Sequence, residues 1–482
     1  VLVTTPVLVP LAAVVLTALA RRRPRLQQAL SLVGALAFLA CSVALVWLAA
    51  TDQASGGSFG GWVAPFGIEF RLDRLGAVLV LVTALMGTAS LVFMASDADP
   101  GPRHPLLLPL VHGVLVGVGG AFSTADLFNL YVWFEVMLIC ALGLFALGGR
   151  RDQLDASFKY LVLNLIGTLL LLISVGAIYA ATGHLNFGAL AGAAPLLPPG
   201  LATVLLTALI VAFAIKAGAF PLYAWLPASY PTLPAPVLAL FAGLLTKVGA
   251  YAVLRTVGDV FAPAPDVLLE ALGWVACATM LFGVLGAAYH WDMRRILSFH
   301  IISQIGYILL AIALGGDEGN GAAVFYTVHH IIVKANLFLI AAMVWRLTGS
   351  YDLRRIGGLY KQRPGLSVLF LVPALSLVGI PPLSGFWAKL LVLREALAQG
   401  RYGWTAVALL VSVLTLYSMM KIWMEAFWKA HPDDGWQPPR DTRLGAGWAA
   451  TIGLAAVTLA IGANPQLLLA YARAAARALG GG

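Results

Sequence analysis

The chain has 482 residues, of which 61% are hydrophobic and only 11% charged, with a formal net charge of +9. Soluble domains carry about a quarter charged residues, so a water-soluble enzyme or binding module of this length is excluded. A mean hydropathy of +0.91 makes apolar runs of about 20 residues, the length that crosses a bilayer as a helix, the elements to count.

The first such run, near 1–20, precedes the basic RRRPR. A secretory signal has the reverse order, so this run is expected to be a retained span. Further spans are expected near 28–50, 74–95, 105–123, 125–148 and 156–182. An interrupted span follows near 201–228, then spans near 236–257, 267–289, 293–314 and 322–347. The last three lie near 365–398, again interrupted, 403–427 and 443–463. The expectation is an all-α integral membrane protein, one membrane domain over 1–482, with about fourteen spans, the seventh and twelfth discontinuous. Cys41, Cys140 and Cys277 sit in apolar runs without a CxxC or Cys/His cluster. Neither a disulfide framework nor a metal site is expected, and no cofactor is called for.

The basic residues fall unevenly between the two sides. Loops after odd-numbered spans hold seventeen: the Arg21–Arg25 run, Arg103, Arg150, Arg151, Arg294, Arg295, Arg346, Arg354, Arg355, Lys361, Arg363, Lys429, Arg440 and Arg443. Loops after even-numbered spans hold seven: Arg71, Arg74, Arg255, Arg394, Arg401, Arg473 and Arg477. The positive-inside rule puts the richer side in the cytoplasm and both termini outside. The excess positive charge is thereby a topology signal, and no nucleic-acid partner is expected.

The two interrupted spans answer one another. Gly218-x-x-Pro221-Leu222-x-x-Trp225 matches Gly379-x-x-Pro382-Leu383-x-x-Phe386, each position displaced by 161 residues. Proline removes an N–H and disrupts the preceding turn. Such backbone survives in a membrane only where protein buries it or water lines it. Matched breaks in repeated halves point to a transporter's midplane site.

Charges inside the spans point to the same place. Six lysines fall within predicted spans: Lys159, Lys216, Lys247, Lys334, Lys389 and Lys421. Lys159 and Lys421 lie near span ends, where a long side chain can reach the interface. The other four lie deeper, as does Glu135 in FNLYVWFEVML. An ionisable group at such depth costs about 2.5–3.5 kcal/mol to insert and is a functional candidate by default. Tyr326, His330 and Lys334 follow at four-residue spacing on one helix face, and a histidine exchanges protons near neutral pH. Glu135 is the only acid deep enough to meet Lys216, so a Glu135–Lys216 pair is expected, set in a wet pocket made by the break.

FPLYAWLPASYPTLPAPVLALFAGLLTKVGAYAVLR, DMRRILSFHIISQIGYILLAIALG, HHIIVKANLFL, LVGIPPLSGFWAK and FNLYVWFEVML together resemble the antiporter-like subunits shared by respiratory complex I and Mrp-type multisubunit Na+/H+ antiporters. The resemblance implies fourteen helices and two inverted five-helix repeats. These would comprise 1–104 as three leading helices, 105–257 and 267–427 as the repeats, and 443–482 as the last helix and tail. It also implies a buried axis in which Glu135 is the acid of the fifth span and Lys216 and Lys247 the lysines of the seventh and eighth. His330 and Lys334 are the relay of the eleventh span, and Lys389 the lysine of the twelfth. Ala228-Ser229-Tyr230 stands where many complex I relatives carry Asp-Ala-His, and resembles the Mrp branch instead. Tyr326 departs from the pattern: a histidine is common at that place.

Two functions are compatible with these residues. One is a proton-translocating subunit of a multisubunit Na+/H+ antiporter in the bacterial cytoplasmic membrane, a transporter component rather than an enzyme. Its partners would be the other subunits, lipid, protons and a monovalent cation such as Na+. The alternative is a proton-pumping membrane subunit of an NADH-quinone oxidoreductase or related redox complex, with the redox centres in its partners.

Overall fold

A computed structural model of the chain describes residues 2–51, 53, 56–58, 61–62, 67–95, 104–439 and 444–479. Arg103, Arg440 and Arg443 of the basic loops lie outside the described residues. The fold opens with α1 (Thr5–Leu19) and α2 (Pro24–Ala50). A short hairpin follows, in which β1 (Gly56–Ser58) pairs antiparallel with β2 (Glu69–Arg71). Then come α3 (Arg74–Met94), α4 (Leu107–Ser123), α5 (Leu127–Ala146), α6 (Arg151–Thr182) and α7 (Phe187–Ala193). The first break separates α8 (Pro199–Ala217) from α9 (Trp225–Ser229), and α10 (Ala235–Arg255) follows.

The second half contains α11 (Asp266–Tyr289), α12 (Met293–Leu314), α13 (Gly316–Thr348) and the short α14 (Leu359–Gln362). The second break separates α15 (Pro364–Val378) from α16 (Ser384–Ala398). The chain then forms α17 (Tyr402–Trp423), α18 (Gly445–Ala463) and α19 (Pro465–Arg477). Twelve of the described helices are long and apolar enough to cross a membrane. The shorter α4 and the broken α15/α16 pair fill the other two expected places. Two details go beyond the sequence reading. The hairpin adds a little β structure, and the tail after α18 is the helix α19, packed along α13 and α3.

Both breaks have the same backbone. Gly218 ends α8 at φ 75° and Gly379 ends α15 at φ 97°, a left-handed conformation that only glycine adopts without penalty. Phe220–Pro221 and Pro381–Pro382 are both cis. Correspondence extends to the loops. Leu127 N donates to Leu185 O at 2.8 Å and Phe187 N to Ala125 O at 2.8 Å. In the second half, Met293 N donates to Tyr351 O at 2.9 Å and Leu353 N to Trp291 O at 3.0 Å. The corresponding residues are 166 positions apart (293 minus 127, 353 minus 187). Each bridge ties the start of one helix to the segment following the next, and an aspartate caps the helix both times: Asp126 on Asn129 N, Asp292 on Arg294 N.

Burial sorts the helices into a centre and a rim. All 21 residues of α10 are buried, as are most of α12 and α13. By contrast, α2, α6 and α17 present exposed Val33, Trp47, Phe158, Ile173 and Val413, as expected for lipid-facing surfaces. An all-round apolar helix belongs at a core. A charge on such a helix must therefore find its partner inside the protein.

Candidate functional site

The sequence-predicted lysines and histidine are all buried: Lys247, His330 and Lys334 come together on the central helices, with Lys216 on α8 and Lys389 on α16 at the two breaks. Lys216, Lys247, Lys334 and Lys389 are 6%, 0%, 0% and 5% exposed, and His330 is 0% exposed. Each lysine is held by protein oxygens, as a desolvated ammonium requires.

At the first break the expected pairing needs correction. The Lys216 ammonium donates to the Asn164 carbonyl at 3.0 Å and to the Thr168 hydroxyl, both on α6, and lies 5.7 Å from the centroid of the Phe134 ring. Among the described residues no ion pair joins it to Glu135, although the two are within electrostatic reach. One Glu135 carboxylate oxygen is buried and unpartnered. The oxygens that meet the ammonium come from α6, an assignment the sequence could not make. The wet pocket has a counterpart in a cavity of about 20 Å³ lined by Phe134, Tyr160, Asn164, Lys216 and Trp225. A water needs about 10–15 Å³ by this measure, so one fits. The Ile215 carbonyl accepts from Gly218 N at 3.1 Å and from the Trp225 indole at 3.2 Å, and Phe220 N donates to Thr279 at 3.0 Å. Lys216 is thus not the group that satisfies this break.

The second break uses its lysine differently. Lys389 donates to the freed Val378 carbonyl at 2.8 Å and to Ser412 at 3.1 Å, with its ammonium 4.8 Å from the centroid of the Tyr307 ring. Ser384, at the start of α16, bonds the His329 ring at 2.8 Å and Ser376 at 3.0 Å. His329, on which the sequence is silent, therefore belongs to the second break.

Between the breaks lie α10, α12 and α13. Lys247 donates to the Ala242 carbonyl of its own helix. Lys334 donates to the Leu297 carbonyl of α12 at 2.9 Å. His330 has both ring nitrogens buried without a partner and lies within electrostatic reach of Lys247, Lys334, His329 and His300. Tyr326 replaces the expected histidine by hydrogen-bonding Gln304 at 2.6 Å and stacking on Tyr307, ring centroids 5.4 Å apart. The phenol–amide contact links α13 to α12, and the Tyr307 ring on which Tyr326 stacks faces Lys389. Sequence reasoning missed His300, Gln304 and Tyr307. The spacing of SFHIISQIGY did carry them, since three-, four- and seven-residue steps share a helix face.

The other two lysines behave as span-end residues. Lys159 pairs with exposed Asp155, and Lys421 donates to the carbonyls of Ala288 and His290 at 3.1 and 2.8 Å. On the side predicted to face outwards, Arg255 is 3% exposed and joins Asp73 at 2.6 Å and Asp259 at 3.2 Å. Burial pulls the Asp73 carboxyl up, but Arg255, the Gly76 amide and Arg71 outweigh it and hold Asp73 below the usual carboxylate range. No group of three or more His, Cys, Asp or Glu side chains among the described residues is arranged to hold a metal ion. What the buried lysines and histidine can do chemically is exchange and pass protons.

Residues 124–416 match the family described as NADH:quinone oxidoreductase/Mrp antiporter, transmembrane. The chain is 44% identical over 370 residues to a Na(+)/H(+) antiporter subunit of Alkalihalophilus pseudofirmus, covering 77% of this chain and 75% of that protein. It is 35% identical to the Na(+)/H(+) antiporter subunit of the same name in Bacillus subtilis over 475 residues, 98% of this chain and 96% of that one. Among solved structures it matches a chain of the Mrp complex from Dietzia sp. DQ12-45-1b. There the TM-score is 0.92 at 36% identity, covering 100% of this chain and 98% of that chain.

Proposed function

We propose, because this chain belongs to the NADH:quinone oxidoreductase/Mrp antiporter family of membrane subunits, that it is the proton-translocating subunit of a multisubunit Na+/H+ antiporter. It is a multi-pass membrane protein and a transporter component. The observation that carries the reading is the series of ionisable groups within the spans: half-buried Glu135, then buried Lys216, Lys247, His330, Lys334 and Lys389, spread over both matched breaks. Buried charges on lysine are costly, and a chain needing only stability would replace them by apolar side chains. Relatives over almost the full length that carry the name of a Na(+)/H(+) antiporter subunit favour antiport over the redox-driven alternative.

In this reading residues 105–257 and 267–427 are inverted repeats, supported by the paired breaks and the loop bridges 166 residues apart. The two half-sites meet along α10, α12 and α13. A proton entering near Glu135 and Lys216 crosses by Lys247, His330 and Lys334 to Lys389. Na+ is the exchanged cation of the assembled complex. The membrane is the bacterial cytoplasmic membrane, with the Arg21–Arg25 side inside and both termini outside.

The axis ends against neighbours, so the assembly and not the single chain completes the pathway. The test is purification of the chain from native membranes followed by reconstitution. The complex is expected to retain further antiporter subunits and to drive proton flux on a sodium gradient. The chain by itself is expected to insert and give little flux. Robust antiport by the purified single chain, or co-purification with redox subunits, contradicts the proposal.

A further inference from the structure

His300 lies on α12, 0% exposed, three residues along from the Leu297 carbonyl that holds Lys334. Its Nε2 is 2.6 Å from the Ser418 hydroxyl of α17, while its Nδ1 is buried without a partner. Ser418 is one of three hydroxyl residues at three-residue spacing, Ser412, Thr415 and Ser418, which fall along one side of α17. The first of these hydroxyls bonds Lys389 at 3.1 Å. The titratable groups facing His300 are Lys334 and His330 from α13 and Lys389 from α16.

Of the α13 groups on the path from Lys334 to Lys389, His330 and His329 are buried imidazoles, His329 bonding Ser384 at the second break, whereas Tyr326 is a phenol whose hydroxyl is engaged by Gln304. A buried imidazole beside the path has what the phenol lacks: two ring nitrogens, one to accept a proton while the other gives one up. We infer that His300 is a proton carrier between Lys334 and Lys389, working through Ser418 and the hydroxyl row of α17.

The step balances as a proton transfer. One proton passes from the Lys334 ammonium to Nδ1, leaving a neutral amine and an imidazolium. The ring then releases the proton on Nε2 to the Ser418 side and returns to a neutral tautomer. Thr415 and Ser412 continue towards Lys389, each about 4.5 Å further along the helix axis, within reach of one bridging water. This assignment rests on the proton-translocating function proposed above.

The experiment uses the assembled complex in proteoliposomes and reads sodium-driven proton flux together with subunit content and thermal stability. His300→Gln retains a side-chain hydrogen bond to Ser418 but cannot pass a proton through a ring. It is expected to lower flux by tenfold or more with normal assembly and an unchanged melting midpoint, and to raise the solvent deuterium isotope effect on residual flux. Ser418→Ala is expected to give a smaller, several-fold loss. His300→Ala separates packing from relay: a purely structural histidine predicts that alanine destabilises the complex whereas glutamine restores wild-type flux, and that outcome overturns the assignment. Lys334→Met in the same preparation is the reference. If it abolishes flux while His300→Gln keeps wild-type flux, the role of His300 fails and the proposed function stands. If Lys334→Met also has no effect, the proposed function itself fails.

Discussion

Gly249→Ala probes how tightly the first break is positioned. Gly249 lies on α10 where that helix crosses the end of α8. A Cβ added there would stand 2.5 Å from the Ala217 nitrogen, 2.9 Å from Ala217 Cα and 2.9 Å from the Lys216 carbonyl carbon. All three are backbone atoms, so no rotamer change relieves the clash, and ordinary contact begins at 3.4 Å. The end of α8 must therefore move by roughly 1 Å, an overpacking that costs about 1–3 kcal/mol. The larger effect is on Lys216, whose contacts with Asn164 and Thr168 depend on that position. A misplacement of about 1 Å at a reacting group can lower a rate by on the order of 100-fold. Sodium-driven proton flux in vesicles holding the assembled complex is expected to fall by tenfold to about 100-fold, with most of the complex still assembled. Gly243→Ala, on the same helix, is the control, because its nearest heavy atoms lie at 3.6 Å, in ordinary contact. Wild-type flux in Gly249→Ala, or an equal loss in Gly243→Ala, refutes the reasoning.

Glu135→Gln keeps the carboxyl's shape and removes its charge, so flux should vanish in vesicles whose complex remains assembled. Combining it with Lys216→Ala should be no worse than either change alone, as for groups acting as a unit; losses that multiply contradict the coupling. Arg255→Met removes the buried cation and leaves Asp73 and Asp259 only the partly exposed Arg71, at 3.7 and 3.5 Å, so it should cost at most about 3–5 kcal/mol, seen as a lower melting midpoint of the complex. Since Asp73 is held below its unfolded value, its contribution is full above pH of about 4 and is lost as pH falls further. Asp73→Asn should flatten that acid limb of the stability profile. A cysteine placed in the Arg21–Arg25 loop should resist impermeant thiol reagents in intact cells; ready labelling from outside reverses the orientation.

The spans are legible because a bilayer imposes length and hydropathy directly, and the breaks because Gly218-x-x-Pro221 and Gly379-x-x-Pro382 cannot continue a helix. The deep lysines are legible for the same reason, since charge in an apolar run has few uses. Their partners are not. Nothing in the sequence places the Asn164 carbonyl and Thr168 hydroxyl beside Lys216, because α6 reaches it across about 50 residues of chain. Charge complementarity points to Glu135 instead, but the ammonium is taken up by α6 and one Glu135 oxygen is left without a partner. His300 and Ser418 are hidden likewise: each reads alone as a polar residue in a helix, and their significance arises only where α12 meets α17 at 2.6 Å. Tyr326 reads as a gap in the relay because its contact with Gln304 lies on a neighbouring helix. The α19 segment reads as a tail because its apolar residues form one narrow face, and α13 and α3 supply the surface that orders it.

The central claim is that protons cross this chain along its buried lysines. Lys334 tests it most directly, being wholly buried between the two breaks with the α12 carbonyl of Leu297 as its hydrogen-bond partner. Proteoliposomes containing the assembled complex with Lys334→Met, matched to wild type in subunit content, should show no sodium-driven proton flux above protein-free vesicles. Flux at the wild-type rate would mean that the protons of this antiporter travel elsewhere.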